Sequence, residues 1–104
     1  MTARIDVPKY EVAEFCRRNR IRRMALFGSV LREDFAPESD VDVLVEFEPD
    51  VRLGWAFWEV EEELGKILGR KADMHTFRGI EQSRNWLLRE EILDSAEIVY
   101  DQAQ

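Results

Sequence analysis

Two aspartates one residue apart, Asp40 and Asp42, stand at the mouth of the apolar run Val41 to Phe47. Alternate residues of a strand point to one face, so a strand here projects both carboxylates together and turns Val41, Val43, Val45 and Phe47 to the opposite, buried face. Two carboxylates side by side repel, and the arrangement is costly unless a cation lies between them. Oxygen-only donors of this kind suit Mg2+ or Mn2+ rather than Zn2+. A half-buried strand with an acidic outer face would carry the same three residues, so D-x-D gains chemical meaning only from what surrounds it.

A chain of 104 residues fits one compact domain, 1–104, and a domain this small has little stability to spare, which makes a stabilising partner unsurprising. Fifteen basic residues against 22 acidic ones give a net charge of -7, which argues against generic binding to a nucleic-acid backbone. One basic cluster runs against that balance: Arg17, Arg18, Arg20, Arg22 and Arg23. It reads first as a solvated helix end whose cations complement the C-terminal dipole, and second as a docking patch for an acidic partner or phosphates. Cys16 is the only cysteine, which leaves neither an intramolecular disulfide nor a cysteine-based zinc site. The sequence has no apolar run of membrane-spanning length and no signal-peptide h-region at its N-terminus, so a cytoplasmic protein without membrane partners is expected; a homo-oligomer stays open.

Taken in order, Asp6-Val7-Pro8-Lys9 reads as a helix start with Asp6 as N-cap. Val12, Ala13 and Cys16 recur at helical spacing, with Tyr10 or Phe15 widening the apolar face, and the helix fades near Asn19 and the arginines. Met24 to Phe27 suits a short buried strand. Gly28 lets the backbone turn sharply or a ligand come close, and Ser29 is a good N-cap for a brief helix through Leu31 and Arg32. A helix N-terminus directly after a strand presents N–H groups that can hold phosphate oxygens. Ala36 to Ser39 reads as a loop, Val41 to Phe47 as the longest strand, and Leu53 to Leu68 as an amphipathic helix closed by Gly69. Trp55 and Trp58 fall partly off its core stripe, as rim packing or a partner surface. Lys71 to Phe77 looks like a third strand with Asp73 and His75 on one face. A second amphipathic helix follows from about Ile80 to Leu93, and Glu97 to Asp101 adds a short edge strand. The fold class is therefore α/β (α+β), a small mixed sheet of three or four strands flanked by helices.

If Gly28-Ser29 and the aspartate pair serve one ligand, the end of the first strand lies near the start of the second, and the two are antiparallel neighbours. The helix between the second and third strands makes that pair parallel, with a right-handed crossover. Asp73 then arrives beside Asp40 and Asp42. Three carboxylates and a phosphate-binding turn fit phosphoryl or nucleotidyl transfer, in which two divalent ions about 4 Å apart clamp attacking and leaving oxygens. In this reading Asp40 and Asp42 bridge the ions, and Asp73 holds one of them and orients or deprotonates the acceptor hydroxyl. Ser29 and its neighbouring N–H groups hold the departing phosphates, and Arg32 neutralises them.

Gly28-Ser29, then Arg32, then Ser39-Asp40-Val41-Asp42, with Asp73 inside KADMHT, closely resembles the motif of polymerase-beta-type nucleotidyltransferases. The small size, the Leu53-Gly54 helix start and the ending EIVYD resemble the minimal nucleotidyltransferases. The resemblance implies a polymerase-beta-like nucleotidyltransferase fold, Mg2+ (or Mn2+) as two ions, and a nucleoside triphosphate, with ATP as the expected substrate. It further implies the antitoxin of a small all-helical HEPN ribonuclease toxin, transferring AMP to a hydroxyl of that partner. Three positions depart from the family pattern: Leu31 replaces a small residue, Glu33 stands where glycine is usual, and His75 occupies a commonly apolar place. His75 reads as a packed or surface histidine in preference to a catalytic one. Two alternatives stand beside the enzyme. One is a module of the same fold that neutralises its partner by binding alone, and the other is a small-molecule nucleotidyltransferase, for which the chain leaves little room.

Overall fold

The structure is a computed structural model and describes residues 7–28, 40–82 and 84–103. Along the chain run α1 (Lys9–Arg18), β1 (Ile21–Phe27), β2 (Val41–Phe47), α2 (Ala56–Leu68), β3 (Ala72–Thr76), α3 (Phe77–Glu81), α4 (Trp86–Ser95) and β4 (Glu97–Asp101). The strands form one mixed sheet in the order β3-β2-β1-β4. β1 is antiparallel to both β2 and β4, and β2 is parallel to β3, as the helical crossover between them requires. The expected pairings and the edge strand at Glu97–Asp101 are all present. The N-cap position of α1 is Pro8, with no side-chain cap, and not Asp6 as expected; the brief helix from Ser29 and the loop Ala36 to Ser39 lie outside the described residues.

One face of the sheet carries the main core. Val12, Phe15 and Cys16 of α1 and Val60, Leu64 and Leu68 of α2 pack on Ile21, Met24 and Leu26 of β1, on Val41, Val43 and Val45 of β2, and on Ala72 and Met74 of β3. Phe15, not Tyr10, completes the apolar stripe of α1: Phe15 is fully buried, while Tyr10 is 88% exposed. α2 ends as its sequence dictates, with Gly69 at a φ of 71° and the Arg70 N–H donating to the Gly65 carbonyl at 3.0 Å. Its tryptophans do not pack on the rim. Trp55 and Trp58 are exposed and meet each other edge to face, 5.3 Å between ring centroids.

Four further expectations need correction. β1 begins at Ile21, so Arg22 and Arg23 belong to the strand and only Arg17 and Arg18 lie in the last turn of α1. A register shift between Ile21 and Arg23 lets Ile21 face the main core together with Met24 and Leu26, and this burial draws the strand back through the arginines. Several of those cations already have carboxylate partners: Arg18 meets Glu63, Arg20 meets Glu48 and Asp50, and Arg23 meets Glu46. Phe77 opens α3 and does not close β3, because the Thr76 hydroxyl accepts a hydrogen bond from the Gly79 N–H at 2.9 Å and caps a helix there. The single helix expected from Ile80 to Leu93 is instead two, α3 and α4. Finally, the face of β2 opposite the main core is itself partly buried. Leu44, Ala25, Phe27 and Phe77 form a second small cluster, covered by Ile80, Ile92 and Ala96.

Gly65 is buried, and a Cβ there would stand 2.8 Å from the Arg70 carbonyl oxygen and 3.3 Å from the Ala72 nitrogen. Those atoms are backbone at the entry to β3 and cannot step aside cheaply. Alanine gains about 1 kcal/mol of helix propensity over glycine, which the overpacking outweighs. Gly65→Ala is expected to destabilise the domain by about 1–3 kcal/mol in urea titration. A second expectation concerns Cys16, fully buried, whose thiol is pushed up to about 12 from 9.0 by loss of solvent. A thiol raised in the folded state favours folding below its unfolded pKa and loses that contribution as pH climbs toward the folded value, so stability declines above about pH 9. Iodoacetamide at pH 8 should label Cys16 rapidly in urea and very slowly in native buffer, as read by mass spectrometry.

Candidate active site

The carboxylates are brought together by strand register. Phe27, the last residue of β1, pairs with Asp42 on β2, and Asp42 pairs with Asp73 on parallel β3. The crossover is fixed at its mouth by the Val41 N–H donating to the Lys71 carbonyl at 2.9 Å. Residues opposite one another in a ladder share a face, so Asp42 and Asp73 project to the side opposite the main core. Asp42 is half-buried and Asp73 exposed.

Gly28 closes the third side. It turns the chain out of β1 with a φ of 74°, in the left-handed region that glycine enters without strain. An ideal Cβ there would stand 2.5 Å from Asp42 Oδ2. The Asp42 carboxylate therefore lies directly against the turn backbone, and the closeness needs a residue without a side chain.

His75, two residues beyond Asp73 and on the same face, completes the group. Its Nε2 lies 3.3 Å from Asp73 Oδ2, and its ring meets the buried Phe27 edge to face at 5.6 Å. One donor atom from each of Asp42, Asp73 and His75 falls within 4.8 Å of the others. Two carboxylate oxygens and an imidazole nitrogen so gathered fit a divalent cation. Asp40 is exposed immediately before β2 and stands outside that group, while Ser29 and Arg32 lie outside the described residues. The sequence thus pointed to Asp42, Asp73 and Gly28, which the fold assembles. His75, read from the sequence as a packed or surface residue, does pack on Phe27, and it also stands in this group, which its two-residue spacing from Asp73 on a strand could have signalled.

A family model described as a nucleotidyltransferase domain matches residues 9–99. A protein of Methanocaldococcus jannaschii, MJ0435, provisionally named a protein adenylyltransferase, is 30% identical over 92 residues, covering 88% of this chain and 94% of its own. The protein adenylyltransferase MntA of Thermococcus cleftensis is 41% identical over 54 residues, 52% of this chain; the match spans about half of that relative, 54%. Among solved structures, one provisionally called a minimal nucleotidyltransferase is 32% identical with a TM-score of 0.65, covering 85% of each chain. A toxin-antitoxin with AMP-PNP has a TM-score of 0.68 at 21% identity, covering 90% of this chain and 73% of that one. A tri-AMPylated Shewanella oneidensis HEPN toxin in complex with MNT antitoxin has a TM-score of 0.60 at 20% identity, covering 92% and 71%. At such identities the last two show a shared fold. Since the family match runs from the first helix into the last strand, this chain belongs to the nucleotidyltransferase domain family.

Proposed function

We propose that this protein is a metal-dependent nucleotidyltransferase that moves AMP from ATP to a hydroxyl of a partner protein, and that the partner is a small helical HEPN-type toxin for which it serves as antitoxin. The observation that carries the chemistry is the convergence of Asp42 and Asp73, from parallel strands, against the Gly28 turn. The choice of acceptor and partner draws its support from relatives named protein adenylyltransferase and from the likeness to an MNT antitoxin bound to an AMPylated HEPN toxin.

In this reading Asp40, Asp42 and Asp73 hold Mg2+ or Mn2+, two ions in all. When bound, the ions offset triphosphate charge and favour attack at the α-phosphorus. Gly28 lets the nucleotide phosphates approach the backbone, Ser29 with its neighbouring N–H groups holds the departing phosphates, and Arg32 balances their charge. An Asp73 carboxylate oxygen, exposed at the edge strand, receives the proton of the acceptor hydroxyl as its oxygen bonds to phosphorus and pyrophosphate departs with the electron pair of the broken bond.

The direct test incubates the protein with ATP, Mg2+ and the product of its neighbouring gene, and weighs that product. The expected result is a gain of one or more AMP units, reduced by at least about 100-fold in initial rate for Asp73→Asn and abolished in Asp40→Asn or Asp42→Asn. Tight complex formation with no mass gain under any nucleotide or divalent ion would replace transfer by masking. A finer expectation follows from the turn. Gly28→Ala places a methyl group on the Asp42 carboxylate and should lower the transfer rate by about 100-fold, while a circular-dichroism melt confirms that the domain still folds.

A further inference from the structure

His75 is half-buried on the site face of β3, and nothing in the carboxylate chemistry above calls for it. Its Nε2 lies 3.3 Å from Asp73 Oδ2, close to the separation of about 3 Å between adjacent donors in an octahedral shell with bonds near 2.1 Å. An oxygen of Asp42 completes a triangle in which no two donors are more than 4.8 Å apart, so small side-chain rotations bring all three onto one ion. Phe27, 7% exposed, edges the imidazole and limits how the ring can lie. A simple ion pair between groups this exposed would be worth about 0–1 kcal/mol and would not account for the third donor. Magnesium favours an all-oxygen shell rich in water, whereas imidazole raises the affinity of a mixed site for transition metals.

We infer that His75 is a nitrogen ligand to the ion held by Asp42 and Asp73, and that it biases this site toward Mn2+ over Mg2+. The inference rests on the proposed reading that these carboxylates bind a divalent cation. It can be tested apart from turnover, because His75 is the only histidine of the chain.

The tag-free protein is loaded with Mn2+ without nucleotide, and its pulsed-EPR echo modulation is recorded with natural-abundance and with 15N-labelled histidine. The expected result is a directly bound 14N signal that converts to the 15N pattern on labelling, which needs no substitution and so cannot fail through misfolding. His75→Leu should lose the signal and weaken Mn2+ binding by at least about tenfold, with Mg2+ affinity, read by competition, changed by less than about twofold. Bound Mn2+ with no nitrogen coupling would overturn the inference and reduce His75 to a hydrogen-bond partner of Asp73, leaving the carboxylate site intact. No Mn2+ binding at millimolar concentration would overturn both this inference and the metal reading beneath it.

Discussion

The structure turns on one like-charge encounter. Parallel pairing of β2 with β3 sets Asp42 opposite Asp73, and facing carboxylates in a ladder are destabilising. At separations near 4 Å the repulsion amounts to about 1 kcal/mol in water and about 4 kcal/mol in the environment of a protein surface. A small domain carries such a cost when the rest of the fold outweighs it. Here the opposite face of the same strands supplies an aliphatic core in which Val41, Val43, Val45, Ala72 and Met74 are at most 4% exposed. Core and site are two sides of one register, since a one-residue slip of β2 would move Asp42 inward and its valines outward.

The second apolar cluster gives that encounter a floor. Leu44 lies two residues along β2 from Asp42, and Phe27 lies directly opposite Asp42 on β1. Both are buried beneath α3 and α4, so the carboxylates stand where a dry patch meets solvent. Charges at such a boundary are less screened than those on an open surface. The basic cluster contributes elsewhere. Arg20, at a φ of 59° in the turn between α1 and β1, holds Asp50 through both carboxylate oxygens at 2.7 and 2.8 Å and ties that turn to the exit of β2.

Much of this arrangement is legible in the residues because each step follows from local chemistry. The antiparallel pairing follows from setting Gly28-Ser29 and the aspartate pair at one ligand, the parallel pairing follows from a helical link, and the closeness of Gly28 to Asp42 follows from a glycine ending one strand and an aspartate opening the next. What stayed hidden depended on long-range burial. Val43-Leu44-Val45 is a continuous apolar run, the mark of a strand covered on both faces, yet alternation with Asp40 and Asp42 pulled it toward a one-sided reading. The arginines of β1 looked helical because charge density speaks of solvent, while strand membership was decided by Ile21 reaching the core. Strand alternation puts His75 on the face of Asp73, but only the pairing of β3 with β2 shows how near its ring stands to Asp42.

Glu61 has a role that its place in an acidic helix conceals. From α2 its carboxylate accepts the N–H of Met74 at 2.8 Å, on the outer edge of β3, the last strand of the sheet. An unpaired strand edge is a template for another chain, and a carboxylate seated on it occupies the donor that a docking strand would use. The middle of the edge nearest Asp73 is thereby made a poorer template for sheet extension, while exposed Asp73 itself stays open to side-chain contact. A folded surface can approach that edge through its side chains, and copies of this chain are discouraged from joining there into continuous sheets.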